Sequence, residues 1–185
     1  MIRLAIQSIH EVSQQICGHE VLARKVQNGK PLAPGVFMAS AKSKDWFELD
    51  MAIFRQVSDS TFLIKDPWPL FINMSPPTLE QMNLFAQALP CIERIASARA
   101  ASTVIEISEE SSLAPDQLDL RLDSLRRIGA LVAMDDFGVG HSNIERLREH
   151  EWSYCKIDLH SIQETANLDW LIDAKDLCDE RNIAI

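Results

Sequence analysis

Acidic and amide side chains stand where successive apolar runs of this 185-residue sequence end. Asn73 follows one such run, and the adjacent Asp135 and Asp136 follow another. In α/β folds, ligands bind at the carboxyl ends of parallel strands, and a barrel brings all of these ends to one face. The pattern therefore predicts one shared site, whose members would be Glu20, Asn73, Glu106, Asp135, Asp136, Lys156 and Asp158.

A site of this composition would need cations. Four or five carboxylates held together repel one another and raise one another's pKa unless positive charge neutralises them. Oxygen ligands favour Mg²⁺ or Mn²⁺ over Zn²⁺. The adjacent Asp135 and Asp136 suit a pair of metal ions, which activates water and stabilises the leaving oxygen in phosphoester hydrolysis. The residues thus favour metal-dependent hydrolysis of a phosphoester.

Each residue also has an ordinary structural interpretation. A single Asp or Glu at a strand end is usually solvated or caps a helix, and Asn73 would organise a turn before Met-Ser-Pro-Pro. Lys156 would lie on the surface or pair with Asp158. Only the repetition of the pattern over several strands favours a site.

Several better-known motifs are excluded. The glycine-rich segment after Asp136 has Asn143 in place of the third glycine of a dinucleotide fingerprint. His19-Glu20 begins like a zinc-protease motif, but Ala23 stands where the second histidine is needed. No C-x-x-C pair occurs, so reduced thiols are favoured over a zinc site for the widely spaced Cys17, Cys91, Cys155 and Cys178.

Composition narrows the classes of partner. The chain has 18 Lys and Arg against 27 Asp and Glu, a formal net charge of −9. Such an acidic protein repels a phosphate backbone, which disfavours a nucleic acid polymer, although metal ions or local basic groups would let it bind one small anion. No apolar run approaches a membrane span, and the N-terminus is too short and polar for a signal peptide. We therefore expect a cytoplasmic protein that does not bind a membrane.

The elements that would position the site alternate between two hydrophobic periods. The pattern predicts strands at 3–9 and 15–23 with a turn between them, and a helix at 44–57. From residue 70 onward, strands at 70–72, 103–107, 130–134 and 154–159 alternate with helical stripes at 79–89, 118–128, 143–149 and 168–178, and a further strand begins at 183. This alternation indicates parallel strands joined by helical crossovers, within one domain.

Five motifs, in this order along the chain, resemble those of the EAL domain family, which hydrolyses cyclic di-GMP. Glu20-Val21-Leu22-Ala23-Arg24 resembles Glu-Ala-Leu-Leu-Arg, and Asn73-Met74-Ser75 resembles Asn-Leu-Ser. The remaining three are Glu106-Ile107-Ser108-Glu109, similar to Glu-Leu-Thr-Glu; the run from Asp135 to Ser142, similar to Asp-Asp-Phe-Gly-Thr-Gly-Tyr-Ser; and Lys156-Ile157-Asp158, which matches Lys-Ile-Asp.

The resemblance implies a fold and a set of roles. The fold would be a TIM-like (β/α) barrel of the EAL type whose first strand runs antiparallel to its neighbours. Two metal ions, Mg²⁺ or Mn²⁺, would serve catalysis, and Ca²⁺ would support binding but inhibit turnover. Asp136 would face the second metal, and Lys156 would position the attacking water or the phosphate. The other implied roles are first-metal ligands for Glu20, Asn73, Glu106 and Asp135, substrate contacts for Arg24 and Asp158, and support of the glycine-rich loop for Glu109.

The end of the sequence qualifies these expectations. The family continues beyond the Lys-Ile-Asp motif to a further catalytic glutamate and a guanine-binding glutamine, whereas this sequence ends at Ile185, ahead of them. A closed barrel typically needs roughly 250 residues. We therefore expect residues 1–185 to form one EAL domain that lacks the last strands and helices of the barrel.

Two functions stay open for such a chain, beside a third possibility that it is a fragment whose function belongs to a longer protein. One is metal-dependent hydrolysis of cyclic di-GMP to linear pGpG. The other is a catalytically inactive module that binds cyclic di-GMP or a protein partner. A homodimer is the expected assembly, because the glycine-rich loop shapes a dimer contact in the family.

Overall fold

The computed structural model describes residues 1–10, 15–108, 111–137, 143–157 and 169–185. The strands are β1 (Ile2–His10), β2 (Ile16–Gln27), β3 (Lys30–Leu32), β4 (Leu70–Met74), β5 (Thr103–Ser108), β6 (Ala130–Phe137) and β7 (Tyr154–Ile157). The helices are α1 (Pro34–Phe37), α2 (Ser43–Asp59), α3 (Thr61–Lys65), α4 (Pro76–Glu80), α5 (Met82–Ala98), α6 (Pro115–Arg127), α7 (Asn143–Glu149) and α8 (Asp169–Arg181).

The strands form one seven-stranded sheet in the order β1-β2-β4-β5-β6-β7, with the short β3 also paired to β2. β1 and β3 run antiparallel to β2, whereas β2, β4, β5, β6 and β7 are mutually parallel. The predicted antiparallel first strand and the predicted parallel arrangement are both confirmed. Beyond β7, Ala184 forms a parallel bridge with Tyr154, at the position where a further strand was predicted to begin.

The sheet curls so strongly that distant strands meet. β4 and β7 are three strand spacings apart, which is about 14 Å in a flat sheet. Nevertheless the rings of Phe71 on β4 and Tyr154 on β7 lie 5.0 Å apart in an edge-to-face arrangement. The side chains on the concave face of the sheet therefore converge, as they do inside a barrel.

The main hydrophobic core fills the space between the convex face of the sheet and the helices. Leu70, Ile72, Ile105 and Val132 are fully buried there. Helix α6 illustrates the sequence rule behind this layer. Pro115 is accepted in its first turn, Leu118, Leu122 and Leu125 recur every three or four residues on its buried face, and Gly129, with a φ of 84°, follows its end.

The structure differs from the predicted elements in detail. The apolar stripe over 79–89 belongs to two helices, because Gln81 has an extended backbone that ends α4 and precedes α5. The elements β3, α1 and α3 were not predicted, since segments of three to five residues are too short to show a hydrophobic period. The predicted turn at 11–14 and the last residues of the predicted strand at 154–159 lie outside the described residues.

Candidate active site

The concave face of the sheet carries the polar residues that the sequence singled out. Side chains alternate between the two faces of a strand, and parallel pairing places Asn73 beside Glu106 on neighbouring strands. Glu106 lies within β5 rather than at its end, so its carboxylate is held in the strand interior and is almost fully buried. The strand register therefore fixes the position of this acid more firmly than a loop would.

The ammonium group of Lys156 lies among three carboxylates. Its Nζ is 3.2 Å from Glu20 Oε2 and 2.9 Å from Asp135 Oδ1, and it forms an ion pair with Glu106 Oε1. Glu20 and Lys156 stand on strands four spacings apart, about 19 Å in a flat sheet, so this contact depends on the curl. We refer to Glu20, Asn73, Glu106, Asp135 and Lys156 as the carboxylate cluster.

The side chain of Asn73 forms hydrogen bonds with two of these acids. Its side-chain Nδ2 donates hydrogen bonds to Glu20 Oε1 at 3.2 Å and to Glu106 Oε2 at 2.9 Å. The amide oxygen of Asn73 is left available as a neutral oxygen ligand. The cluster thus combines three carboxylates, one amide and one ammonium group around a common point.

Burial and charge shift the pKa values in the cluster. Burial, assisted by the neighbouring carboxylates of Glu20 and Asp135, raises the pKa of Glu106 to about 8, although Lys156 opposes this shift. Burial disfavours the charged form of Lys156, but attraction to Glu106, Asp135 and Glu20 outweighs it and raises the pKa of this lysine. The ammonium group of Lys156 alone does not bring the pKa of Glu106 back to its ordinary value. The site therefore has room for additional positive charge.

The strand is irregular at the two adjacent aspartates, and both of them line the same cavity instead of pointing to opposite faces of the sheet. The pairing of β6 with β7 shifts register between Met134 and Phe137, and Asp136 has a φ of 56°, in the left-handed region. Bulges of this kind redirect side chains and are frequent beside active sites. Asp135 joins the carboxylate cluster, and the more exposed Asp136 lines the adjoining cavity together with it.

That cavity has a volume of about 450 Å³ and opens beside the cluster. Arg24 lines it, with Nη1 donating a 2.9 Å hydrogen bond to the carbonyl oxygen of Ala23. Glu20, Asn73, Asp135 and Asp136 line it as well. The predicted substrate residue Asp158 and the predicted loop support Glu109 lie outside the described residues.

The donor set fits a hard divalent cation. Glu20, Glu106, Asp135 and Asn73 offer only oxygen ligands, the type preferred by Mg²⁺, Mn²⁺ and Ca²⁺. The charge also fits, since a bound cation would favour the ionised form of Glu106, and three ionised carboxylates with one ammonium then carry −3 + 1 = −2. As they stand, no three Asp, Glu, His or Cys side chains of the described residues are arranged to hold a metal ion. The carboxylates surround an ammonium group instead, and a metal ion would compete with it.

The sequence did not single out two further residues of this cavity, Trp46 and Asp50. Both lie on α2 and line the cavity. Asp50 is 3% exposed, and its neighbours Leu49 and Met51 are also buried. The sequence feature that could have revealed Asp50 is an acidic residue within the buried part of an amphipathic helix.

None of the helices in the described ranges is long and apolar enough to cross a membrane.

Comparison with known proteins identifies the family of this site. A family model described as "EAL domain" matches residues 2–173. Among curated proteins, the chain is 31% identical over 159 residues to "Probable cyclic di-GMP phosphodiesterase PdeG" of Escherichia coli K12, which covers 82% of this chain and 31% of PdeG. It is 29% identical over 147 residues to "Probable cyclic di-GMP phosphodiesterase PdeA" of the same organism, covering 75% of this chain and 20% of PdeA. The chain thus spans about a fifth to a third of these relatives.

Solved structures share the fold over almost the whole chain. The Bacillus subtilis YkuI protein, an EAL-domain protein solved with its substrate c-di-GMP and calcium, superposes with a TM-score of 0.82 at 25% identity. This match covers 99% of the chain and 48% of YkuI. Klebsiella pneumoniae BlrP1, solved with manganese and c-di-GMP, gives a TM-score of 0.73 at 19% identity, over 98% of the chain and 47% of BlrP1. The predicted TIM-like barrel fold is therefore confirmed.

Proposed function

The chain belongs to the EAL domain family, and we propose that it hydrolyses cyclic di-GMP to linear pGpG with the help of divalent metal ions. The observation that carries this proposal is the carboxylate cluster itself, in which acids from three strands and an amide from a fourth meet beside a cavity. A purely structural role would not require so many buried or half-buried charges around one point.

The residues that would hold the first metal are Glu20, Asn73, Glu106 and Asp135, and Asp136 would face the second. When bound, Mg²⁺ or Mn²⁺ lowers the pKa of water and offsets the negative charge of the phosphate groups. The high pKa of Glu106 supports this assignment, because an ionised carboxylate at this depth needs more positive charge than Lys156 provides. The calcium of the YkuI structure and the manganese of the BlrP1 structure point to the same class of ion.

Two basic residues would act directly on the substrate. Lys156 is charged at neutral pH and would donate hydrogen bonds to the attacking water or to a phosphate oxygen. Arg24 lies at the cavity wall, where its guanidinium would bind a second phosphate group. In the reaction, water adds to phosphorus, the P–O ester bond of the ring breaks, and the departing oxygen takes up a proton.

Other aspects of the proposal follow from the family. Cyclic di-GMP is the proposed ligand because the names of PdeG, PdeA and the solved neighbours refer to it. Residues 1–185 are proposed to form one domain of this family. A homodimer, a cytoplasmic location, and the roles of Asp158 and Glu109 stay predictions.

The second candidate function is a module that binds cyclic di-GMP without turnover. The ion pairs of Lys156 favour it, since a metal ion must displace the ammonium from three carboxylates before it can bind. This competition would weaken metal binding while leaving the cavity able to accept the dinucleotide.

Two measurements separate these functions. Incubation of the chain with cyclic di-GMP and Mn²⁺, followed by chromatography, should yield pGpG, and Asp135→Asn should abolish this product. Calorimetry with cyclic di-GMP in the presence of Ca²⁺ measures binding without relying on turnover. Binding with no pGpG in any metal would establish the second function, and absence of both would contradict the assignment of the site.

A further inference from the structure

Asp50 on helix α2 places a buried carboxylate at the cavity that adjoins the carboxylate cluster. The residue is 3% exposed, and its Oδ2 accepts three hydrogen bonds. The donors are the backbone N of Ser75 at 3.1 Å, the Oγ of Ser75 at 2.6 Å and the Oγ1 of Thr78 at 2.6 Å. One oxygen atom of α2 therefore gathers a backbone donor and two hydroxyl donors from a different part of the chain.

The local sequence explains why these donors need a partner from outside. Helix α4 begins with Pro76 and Pro77, which have no N–H group, and the side chain of Ser75, at the N-cap position, makes no cap hydrogen bond within the helix. The Thr78 backbone N–H donates to the carbonyl oxygen of Ser75, so the remaining donors of these two residues are the Ser75 N–H and the two hydroxyls, whose oxygens lie 3.1 Å apart. Asp50 accepts from both residues, so it fixes the turn between β4 and α4.

This turn lies next to a proposed metal ligand. Ser75 directly follows Met74, the last residue of β4, and is two residues beyond Asn73. Asn73 in turn donates to Glu20 and Glu106. A change in the backbone at Ser75 would thus alter the end of β4 and the direction of the Asn73 amide.

We propose that Asp50 is a positioning residue, which holds the end of β4 so that the side chain of Asn73 keeps its place in the carboxylate cluster. The expected effect of Asp50 on metal binding rests on the proposed function. The geometric part, from Asp50 through Ser75 to Asn73, stands on the contacts alone.

The chemistry of the contact supports a specific role. Burial raises the pKa of Asp50 to about 6, although the hydrogen bonds from Ser75 and Thr78 oppose this shift. An apolar side chain at this helix position would avoid the desolvation cost. A carboxylate at this position can hold three donors of one turn in fixed directions. Such fixed directions matter beside a metal ligand, because neighbouring hydrogen bonds orient the ligand.

The test compares substitutions that keep or remove the acceptor. Asp50→Asn retains an oxygen that accepts the same hydrogen bonds, whereas Asp50→Leu retains the volume and removes the acceptor. Asp45→Asn is the matched control, because Asp45 also accepts a backbone hydrogen bond at the exposed start of the same helix. Ser75→Ala is a milder second variant that deletes one donor, for use if Asp50→Leu does not fold.

Two readouts are needed, both measured beside thermal unfolding. The first is the NMR resonance of the Asn73 side-chain amide without metal, and the second is the affinity for Mn²⁺ from calorimetry. Misplacing a group that orients a metal ligand lowers metal affinity by about tenfold or more. We therefore expect Asp50→Leu to shift the Asn73 resonance and weaken Mn²⁺ binding by about that factor, and Ser75→Ala, which keeps two of the three donors, to change both properties in the same direction by less. Asp50→Asn and Asp45→Asn should keep both properties.

The outcomes are distinguishable. A folded Asp50→Leu protein with the wild-type Asn73 resonance and wild-type Mn²⁺ affinity would overturn the proposal, and so would an unchanged Asn73 resonance in Ser75→Ala if Asp50→Leu does not fold. If the wild-type protein binds no Mn²⁺, the proposed function fails, and the Asn73 resonance still decides whether Asp50 positions this side chain. If Asp50→Asn weakens Mn²⁺ binding as much as Asp50→Leu does, the proposal is also contradicted. An oxygen acceptor at this position would then not be enough to hold the turn.

Discussion

Replacing Lys156 by methionine tests the electrostatics of the carboxylate cluster. Methionine has a similar length but no charge, so Glu20, Glu106 and Asp135 lose their common partner. Removing one partner of a buried ion pair typically costs about 3–5 kcal/mol. Because about a quarter of the Lys156 side chain is exposed (26%), we expect the lower end, about 3 kcal/mol, for the loss in the free energy of unfolding at pH 7.

The expected signal is large enough for a thermal melt. For a chain of this size, each kcal/mol shifts Tm by about 2–4 °C, so Lys156→Met should melt about 6–12 °C lower than wild type without metal. Added Mn²⁺ should raise the Tm of the variant more than that of wild type, because the ion no longer competes with an ammonium group. Hydrolysis of cyclic di-GMP should nevertheless be lost in the variant.

The matched control is Lys175→Met, since Lys175 is an exposed lysine whose partner Asp179 lies one turn away on α8. This variant should melt at the wild-type temperature with and without Mn²⁺. The reasoning is refuted if Lys156→Met melts like wild type, or if Mn²⁺ stabilises the variant no more than it stabilises wild type. Either result would mean that the ammonium does not balance the three carboxylates.

Three further predictions concern single residues. The pKa of Asp50 is about 6 against an ordinary 3.8, so protonation of this group stabilises the folded protein below about pH 4, and the stabilisation is lost as pH rises through 6. Asp50→Asn cannot ionise, so its free energy of unfolding should gain up to about 3 kcal/mol relative to wild type between pH 4 and 7, as measured by urea unfolding. Gly18→Ala would place a Cβ 2.7 Å from Cε2 of Phe71 and should cost about 1–3 kcal/mol in urea unfolding, whereas Gly35→Ala, with open space around it, should not. At Asp136, where φ is 56°, Asp136→Val should be about 1–2 kcal/mol less stable than Asp136→Gly, since both variants lose the same carboxylate and only valine strains the backbone; equal melting of the two would contradict the left-handed backbone there.

The sequence was sufficient for the parts of the structure that depend on local pattern. The β-branched and apolar runs around Phe71, Val104 and Val132 predicted buried parallel strands, and the spacing of Leu118, Leu122 and Leu125 predicted α6. The resemblance placed Glu20, Asn73, Glu106, Asp135 and Lys156 in one site, and the structure brings these side chains together.

Other features depend on contacts that local pattern does not reveal. The ion pair of Lys156 with Glu20 exists only because the sheet curls until β7 approaches β2. The position of Asp136 at the same cavity as Asp135 goes with a register shift between two strands. Asp50 was missed because its donors, Ser75 and Thr78, lie 25 and 28 residues away along the chain.

Glu20, Asn73, Glu106 and Asp135 are proposed to form a divalent metal site. The most direct test is a crystal of the protein soaked in Mn²⁺ and measured at the manganese absorption edge. We predict an anomalous peak within about 2.6 Å of oxygen atoms of these four residues, with the Lys156 ammonium displaced from their centre. A soaked crystal that shows no peak there, with Lys156 still paired to the three carboxylates, would contradict it.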